Sequence, residues 1–488
     1  MTKGITIQKC KDKNIIKNFN PLQHQRETLD YFLDSNKKGL LLYHKLGSGK
    51  TCTSILIADE MLKNGFVNKV YVLTPGSLRS NWVKEYCTKC GFDNKNLEEN
   101  FVFITYNYDV HNELRHYNFN YSLVIIDETH NLINSVINKS KNSLSIYNKL
   151  LLSDCRIIAL SGTPVKSNPK QWYALHKLLD PSGDPNVPKD IVSYFPGNEK
   201  YFPKVNEIVI NVKLTISQEL NLIQILDWEQ KILKMYNDEV LNKLKTTNPE
   251  LYLKKKEQYT LAKLGISSKK LSNVYYPPYL ANVPDTFVEN GGWISDEIIS
   301  TGILKEMSYK FISIIYNINA IPNQKHMVYS FYKTKGGVNL LSTLLQKCNI
   351  SSAVLSGDLN DTQKENILSR FNAPDNSNGE HIKVILVTGA GKEGMTLLDV
   401  NNLHMVEQSR TITEENQIIG RCVRYQSHKN LPSYRNFVNI FRYRARRFNP
   451  KALIFQNASS LEEEIYIKAK ANFESIEKIN DMLIKNSI

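Results

Sequence analysis

One short segment of the chain has the residue types and spacing of a phosphate-binding loop. HKLGSGKT at 44–51 follows the apolar run GLLLY and precedes CTSILIADEML, a stretch of helical character. A glycine turn between a strand and a helix lets backbone N–H groups approach phosphate oxygens closely. The predicted nucleotide-binding residues are Gly47, Ser48, Gly49, Lys50 and Thr51. Lys50 would reach the β- and γ-phosphates of a nucleotide, and Thr51 would offer its hydroxyl to Mg²⁺.

The first corner of this loop departs from the usual pattern. Phosphate loops of this kind begin with glycine, whereas His44 stands at that position. The Gly-x-Gly-Lys-Thr half is intact, so we expect the loop to bind phosphate with an altered first corner.

A pair of acidic residues follows a second apolar run. SLVIIDETH at 122–130 places Asp127 and Glu128 directly after a predicted strand. In this context Asp127 would hold Mg²⁺, and Glu128 would orient or deprotonate the attacking water. The alternative is that two acids begin a helix, where the helix dipole favours negative charge. A phosphate loop and an acidic pair in one chain together predict ATP hydrolysis.

Three polar residues late in the chain could act on the same reaction. QIIGRCVR at 417–424 contains Gln417, Arg421 and Arg424. Because residues three apart share one face of a helix, we expect the two arginines to point together at the γ-phosphate. Positive charge there stabilises the transition state of phosphoryl transfer. The alternative is a pair of surface arginines with no role in catalysis.

Apolar runs indicate the elements that position these residues. GLLLYH, KVYVLTP, NFVFITY, SLVIIDE and CRIIALSG alternate with helical stretches from about residue 20 to 180. KHMVYSFY, SSAVLSG, KVILVTG and NLHMVEQ repeat the pattern from about 305 to 445. Such runs are typical of buried parallel strands, whose ligands bind at the carboxyl ends. The predicted fold is α/β, with two tandem lobes of parallel sheet flanked by helices.

The predicted domain boundaries follow from this pattern. An ATP-binding lobe covers 1–205, a mostly helical basic insertion or linker 206–300, a second lobe 301–450 and a C-terminal helical extension 451–488. Residues 231–270 hold ten lysines against four acidic residues. This stretch either follows a phosphate backbone or is a solvated helical face, and the solvated face is slightly favoured.

Composition narrows the class of protein further. The 488 residues are 41% hydrophobic and 23% charged, with a net charge of +14, as expected for a globular protein that attracts polyanions. Nucleic acid is the expected partner, and a basic surface without a partner is the alternative. No stretch approaches the roughly 20 apolar residues of a membrane span. Seven cysteines, with only Cys87 and Cys90 at metal-like spacing, favour reduced intracellular thiols over a zinc site.

The motifs together resemble those of superfamily-two helicases. GSGKT, DETH, SGTP at 161–164 and QIIGRCVR are similar to motifs I, II, III and VI, in that order. LQHQ at 22–25 resembles the adenine-reading segment, with Gln25 as its glutamine. VLTPGSLRSNW resembles the motif after the first helix, while VYSFY and TGAGKEGMTLLDV resemble motifs IV and V. The likeness spans roughly residues 20–445.

This resemblance implies a specific architecture and site. It implies two RecA-like lobes that hold ATP and Mg²⁺ in the cleft between them and move on nucleic acid. DNA is the favoured nucleic acid, or track, for this movement, and RNA is the alternative. Ser161 and Thr163 would couple the nucleotide to the nucleic acid. The implied nucleic-acid contacts are Arg79, Thr105, Ser330, Gly391 and Lys392.

A narrower resemblance concerns viral enzymes. LLYHKLGSGKT, SGTPVKSNP and GRCVRYQSHKNLP, which includes His428, are similar to the helicase-like transcription ATPases of large nucleocytoplasmic DNA viruses. That family includes poxvirus nucleoside triphosphate phosphohydrolase I and the small subunit of the early transcription factor. The resemblance implies a role in viral transcription, RNA polymerase or transcription factors as partners, and a location in cytoplasmic viral factories or the virion.

Three functions remain open on these grounds. The first is an ATP-driven helicase or translocase, and the second is a transcription-complex component that remodels polymerase or promoter without separating strands. The third is a non-enzymatic nucleic-acid binder with a degenerate ATP site. Lys50, Asp127, Glu128, Arg421 and Arg424 are all intact, which argues against the third.

Overall fold

The protein folds into two compact units, each built on its own parallel sheet. The computed structural model describes residues 20–45, 47–75, 79–86, 90, 94–105, 114–166, 168–197, 199–276, 278, 303–334, 336–389, 395–447 and 460–488. The first unit takes its described residues from 1–201, 411–414 and 470–488, and the second takes them from 202–410 and 415–469.

The first unit contains a six-stranded sheet in the order β3-β2-β4-β5-β1-β6, with every described pair parallel. Its strands are β1 (Gly39–His44), β2 (Lys69–Thr74), β3 (Phe101–Thr105), β4 (Ser122–Ile126), β5 (Arg156–Leu160) and β6 (Val192–Phe195). The continuous apolar runs are buried on both faces. Leu41 packs into one core, and Leu40 and Leu42 pack into the other, because side chains alternate along a strand.

Helices cover both faces of this sheet. They are α1 (Gln23–Asp34), α2 (Lys50–Lys63), α3 (Arg79–Lys84), α4 (Asn94–Asn100), α5 (Thr129–Ile137), α6 (Lys141–Leu152) and α7 (Lys170–Leu179). Helix α1 begins with a capping arrangement in which the Leu22 backbone N–H donates to Gln25 Oε1 at 2.9 Å. The doubly wound arrangement places the carboxyl ends of β1 and β4 along the same edge of the sheet.

The second unit contains another six-stranded sheet, in the order β7-β12-β11-β8-β10-β9. Its strands are β7 (Lys204–Lys213), β8 (Lys325–Ser330), β9 (Ser352–Leu355), β10 (Val384–Thr388), β11 (Val400–Met405) and β12 (Phe437–Arg446), and the described pairs are parallel. Strands β8, β10 and β11 are buried along their whole length. The predicted α/β fold with two parallel sheets is confirmed.

The second unit contains the helices of the predicted insertion. Its helices are α8 (Ile216–Met235), α9 (Asp238–Thr247), α10 (Pro249–Leu264), α11 (Ile266–Asn273), α12 (Ile303–Met307), α13 (Tyr309–Asn319), α14 (Val338–Lys347), α15 (Asp361–Asn372) and, from residue 415 onward, α16 (Ile412–Ile419). Helix α8 begins where the Thr215 hydroxyl accepts the Gln218 N–H and Gln218 Oε1 accepts the Thr215 N–H. The described part of the predicted insertion, 206–300, contains a strand as well as helices, because β7 joins the second sheet.

The last helix, α17 (Leu461–Lys485), has buried residues near both of its ends. In the second unit, Glu462 accepts a hydrogen bond from Lys310 Nζ at 2.6 Å. Ile476 and Leu483 join one of the cores of the first unit. Within the part of the chain that the structure describes, no helix is both long enough and apolar enough to cross a membrane.

Candidate nucleotide site

The predicted phosphate loop lies between the end of β1 and the start of α2. Gly47 and Gly49 have φ angles of +83° and +86°, a left-handed conformation that glycine adopts without strain. Lys50 begins the helix, and its Nζ donates to the backbone carbonyl of His44 at 2.8 Å and to that of Lys45 at 3.3 Å. The ammonium group is therefore folded back over the loop where a phosphate would bind.

The unusual first corner of the loop has a structural explanation. The His44 side chain is buried, with Nε2 2.9 Å from Ser193 Oγ on β6, and only its backbone carbonyl contacts Lys50. Burial, and then the nearby charge of Lys50, lower the pKa of His44 to about 3, so the imidazole is neutral. Histidine can stand in this position because its side chain anchors the strand instead of entering the loop.

Gln25 lies directly against this loop. Its Nε2 donates to the Gly49 carbonyl at 3.3 Å, and a Cβ added at Gly49 would lie 2.7 Å from the same nitrogen. The neighbouring His24 ring stacks on Phe195 with ring centres 3.7 Å apart, and its Nε2 is 3.2 Å from the Ser48 carbonyl. The structure thus brings Gln25 to the loop as the sequence predicts. The contribution of His24 and Phe195 was missed, because Phe195 lies far along the chain with no motif around it.

The acidic pair follows β4. The Glu128 backbone N–H donates to Asp127 Oδ1 at 3.0 Å, and Glu128 has a φ of +46° before α5 begins. Burial raises the pKa of Asp127 to about 7, helped by the negative charges of Glu128 and Glu85 and opposed by Lys50. The ionised form of Asp127 is therefore electrostatically costly without a nearby cation.

Thr51 and Asp127 have the donor chemistry of a magnesium site. Both are half-buried and offer oxygen atoms, the ligands that Mg²⁺ prefers in proteins. The negative charges of Glu128 and Glu85 act on Asp127 more strongly than the positive charge of Lys50, so a divalent cation would stabilise its charged form. The residues present fit a bound Mg²⁺.

His130 connects the acidic pair to the SGTP segment after β5. Its Nδ1 lies 3.2 Å from Ser161 Oγ and 3.4 Å from Glu128 Oε2. The Thr163 backbone N–H donates to Ser161 Oγ at 3.0 Å. A continuous set of contacts therefore joins Glu128 to Thr163. No spacing rule in the sequence predicts the pairing of His130 with Ser161.

The arginines of QIIGRCVR are arranged differently from the prediction. Helix α16 ends at Ile419, so Arg421 and Arg424 lie in the following turn and not on one helical face, and that part of the prediction is wrong. Both guanidinium groups donate to the Met395 carbonyl, at 3.3 and 3.2 Å. Gln417 is half-buried on α16. The two arginines are therefore held together by hydrogen bonds to the same backbone carbonyl, and not by a helix as predicted.

Two of the three predicted nucleic-acid contacts that the structure describes lie at strand ends. Arg79 begins α3, with its guanidinium carbon 5.5 Å from the centre of the Phe103 ring, and Thr105 ends β3. Ser330 ends β8 but is buried, and its hydroxyl donates to Glu407 Oε1 at 2.7 Å. Gly391 and Lys392 lie outside the described residues.

His428 has a structural contact in the second unit. It is buried, and its Nε2 is 3.0 Å from the carbonyl of Val400 at the start of β11. Burial lowers the pKa of His428 to about 4. This histidine, which contributes to the narrower sequence resemblance, thus helps to anchor β11.

The cysteines differ from expectation. Cys52, one residue after Thr51, forms a disulfide with Cys90, so the expectation of reduced thiols is wrong for this pair. Cys155, Cys348 and Cys422 are free thiols. Cys87 lies outside the described residues, and Cys90 is bonded to Cys52, which is not its partner in the Cys-x-x-Cys spacing.

Two protein-family models match separate parts of the chain. Residues 24–183 match the SNF2-related domain, and residues 309–426 match the helicase conserved C-terminal domain. A predicted ATP-dependent RNA helicase of Acanthamoeba polyphaga mimivirus is 26% identical, with 84% of this chain and 79% of that protein aligned. The early transcription factor 70 kDa subunit of fowlpox virus is 25% identical, with 84% of this chain and 70% of that protein aligned.

Two further likenesses agree with these. A predicted helicase of invertebrate iridescent virus 3 is 24% identical over 90% of this chain, which spans 50% of that protein. The fold resembles the crystal structure of the Pyrococcus furiosus Hef helicase domain, with a TM-score of 0.52 and 14% identity over 92% of this chain and 98% of that one. The chain therefore combines an SNF2-related domain with a helicase conserved C-terminal domain, and viral helicase-like proteins are among its relatives.

Proposed function

We propose that this protein is a nucleic-acid-dependent ATPase motor, a helicase or translocase that hydrolyses ATP with Mg²⁺ and acts on DNA in viral transcription. The observation that carries the proposal is the geometry around Lys50. Its ammonium group is held over a loop of left-handed glycines, and its charge acts on Asp127 at the end of β4. This combination of groups suits the binding and hydrolysis of a nucleoside triphosphate.

Each residue of the site would have a distinct role. The backbone N–H groups around Gly47 and Gly49 bind phosphate oxygens, and Lys50 exchanges its two backbone carbonyls for the β- and γ-phosphates. Thr51 and Asp127 hold Mg²⁺, which neutralises charge on the phosphates when it is bound. Glu128, at a strained φ of +46°, orients the attacking water and accepts its proton.

Gln417, Arg421 and Arg424 would serve the same reaction. Positive charge near the γ-phosphate stabilises the transition state for phosphoryl transfer. The support for this role is that both guanidinium groups share the Met395 carbonyl, which gives them a common direction. Gln25, held on the Gly49 carbonyl, would select adenine.

The choice of nucleic acid as the track rests on charge and on the relatives. The chain carries a net charge of +14, which favours binding to a phosphate backbone through counterion release. One relative is named as an RNA helicase and another as an early transcription factor subunit. DNA is the favoured track because transcription acts on a DNA template, and RNA is the alternative.

A second candidate function is a transcription-complex component that uses ATP to remodel a polymerase or promoter. The specific observation in its favour is the alignment of 84% of the chain with the fowlpox early transcription factor subunit. RNA polymerase or other transcription factors would then be the partners. Both candidates use the same ATP site, so they differ only in what hydrolysis moves.

Steady-state ATP hydrolysis without polymer, and with single-stranded DNA, duplex DNA or RNA, tests the proposal. A severalfold stimulation by one polymer supports a motor and identifies its track. Equal rates under all four conditions would contradict nucleic-acid dependence. Unwinding of a forked substrate would then favour the first candidate over the second, because a remodelling factor is stimulated without separating the strands.

A further inference from the structure

Helix α10 carries tyrosine and lysine alternately along one face. Tyr252, Lys256, Tyr259 and Lys263 stand at positions i, i+4, i+7 and i+11 of this helix, and residues at those spacings line up along its axis. Lys256 Nζ lies 5.3 Å from the centre of the Tyr252 ring, and Lys263 Nζ lies 5.2 Å from that of Tyr259. These four residues are called the Tyr–Lys stripe below.

The Tyr–Lys stripe is accessible beside the packed face of the helix. Helix α10 packs against α8 and α9, and its Ala262 is buried in that contact region. The two lysines of the stripe are exposed, whereas its two tyrosines are half-buried. The rings are therefore steadied by the protein while the ammonium groups reach solvent on flexible stems.

The charge of the surrounding segment favours a polyanion. Residues 231–270 contain ten lysines against four acidic residues. Glu239 lies 3.9 Å from Lys243 with both side chains about four-fifths exposed, an arrangement that contributes little to stability. The surplus of lysine gives this segment a net positive charge, and a surface of that kind attracts polyanions.

We propose that the Tyr–Lys stripe binds single-stranded nucleic acid, as a surface additional to the residues predicted at the strand ends. Unpaired bases stack on aromatic side chains, and lysines beside them bind the phosphates. An exposed cation–π contact is weak, so a base can replace each lysine on its ring while the released ammonium group turns to a phosphate. The stripe is roughly 16 Å long, which is the length of a few nucleotides of single strand.

This inference rests on the proposed function, because it takes nucleic acid as the ligand. Its test is direct binding of fluorescent oligo(dT) and oligo(U), measured by anisotropy over a range of salt concentrations. The double variant Lys256→Glu/Lys263→Glu is compared with Lys243→Glu/Lys245→Glu, which makes the same change of charge on exposed lysines of α9. Thermal melting of both variants checks that they fold.

We expect the stripe variant to bind at least about tenfold more weakly, and the control variant to lose less than about threefold. Removal of two phosphate contacts should also make the plot of log K against log salt concentration less steep. The magnitude of its negative slope should fall by about 1.4. A preference for oligo(dT) or oligo(U) identifies whether DNA or RNA is the natural strand.

A second pair of variants tests stacking separately from charge. Tyr252→Leu/Tyr259→Leu keeps every lysine, so it should bind an abasic strand as well as the wild type does but bind an intact strand about tenfold more weakly. Equal affinity of the wild type and both stripe variants for intact strands would overturn the inference and leave the proposed function standing. If the wild type binds neither polymer, and hydrolysis is stimulated by neither of them nor by duplex DNA, the proposed function fails as well.

Discussion

The Nδ1 atom of His130 lies 3.2 Å from the hydroxyl oxygen of Ser161. The same nitrogen is 3.4 Å from Glu128 Oε2, so one imidazole contacts both the predicted catalytic glutamate and the SGTP segment. A movement at either segment would therefore change the position of the other. The sequence resemblance implies that Ser161 couples the nucleotide to the nucleic acid. This contact links Ser161 to the predicted nucleotide site.

His130→Ala and Ser161→Ala should each reduce the kcat of polymer-stimulated ATP hydrolysis about tenfold. The reason is that Glu128 loses the group that positions it, while the loop that binds phosphate is unchanged, so the KM for ATP should stay within about twofold. The double variant should lose no more than either single variant, because both substitutions break one contact. Additive losses in the double-mutant cycle would show that the two residues act independently.

Gly49→Ala should weaken ATP binding more than tenfold and reduce the preference for ATP over GTP. Gly49 has a φ of +86°, and the new Cβ would lie 2.7 Å from Gln25 Nε2, so the glutamine must move away. Binding of a fluorescent ATP analogue and competition by GTP measure the effect.

Gly65→Ala is the matched control for this substitution. Gly65 has a φ of +70° but has no atom within 4 Å of an added Cβ. It should therefore lose about 1–2 kcal/mol of stability from left-handed backbone strain, with ATP affinity unchanged. Similar small effects of the two variants on ATP binding would refute the role given to the contact between Gly49 and Gln25.

Reduction of the Cys52–Cys90 disulfide should destabilise the first unit. The bond closes a segment with a sequence separation of 38, which in the chain-entropy description is worth about 4 kcal/mol. The double variant Cys52→Ser/Cys90→Ser should melt like the reduced wild type and should not respond to dithiothreitol. Cys348→Ser, at a free thiol of the second unit, should leave the response to dithiothreitol unchanged. Alkylation of both Cys52 and Cys90 in unreduced protein would contradict the pairing.

The second unit should lose stability in mild acid. His326 Nδ1 is 3.0 Å from His404 Nε2, and His404 Nδ1 is 2.8 Å from Tyr443 Oη, all of them buried. Burial lowers the pKa of His326 from 6.5 to about 4, and burial together with His326 lowers that of His404 well below its ordinary value. Both rings are therefore neutral in the folded protein at pH values where the unfolded chain already binds protons.

The sign of the effect follows from these lowered values. The stabilisation is complete above the unfolded pKa of about 6.5 and is lost as the pH falls from there toward 4, with about 3 kcal/mol from His326 alone. Urea unfolding of the second unit between pH 7.5 and 4.5 measures this loss. His381→Gln, at an exposed histidine, should preserve the profile, and a profile that is flat in the wild type would exclude this account.

The sequence predicts the two sheets well because their strands are continuous apolar runs. Strand β4, SLVII, is buried at every position and lies within the predicted run SLVIIDE. Most of strand β7 lies within the segment assigned to the insertion or linker. It is an edge strand whose side chains are mostly exposed or half-buried, with Val212 buried near its end, so KVNEIVINVK lacks a continuous apolar run like that of β4.

The candidate site divides in the same way. The loop at Gly47–Thr51 follows from a local pattern of glycine, lysine and threonine, and the structure gives it the expected strand, turn and helix. The stacking of His24 on Phe195 and the contact of His130 with Ser161 depend on which strands become neighbours in the sheet, which no short segment encodes. For Arg421 and Arg424 the sequence predicted more helix than the structure has. Their helical spacing lies beyond Ile419, where the helix ends.

The most direct test of the ATPase motor is ATP hydrolysis by the wild type, Lys50→Ala and Glu128→Gln in the presence of the polymer that stimulates most. Lys63→Ala, at the exposed end of the same helix, serves as the control for Lys50. We predict that Lys50→Ala and Glu128→Gln lower kcat by at least about a hundredfold, while Glu128→Gln still binds ATP and Lys63→Ala behaves as the wild type. Hydrolysis at the wild-type rate by either site variant would contradict the proposed catalytic site.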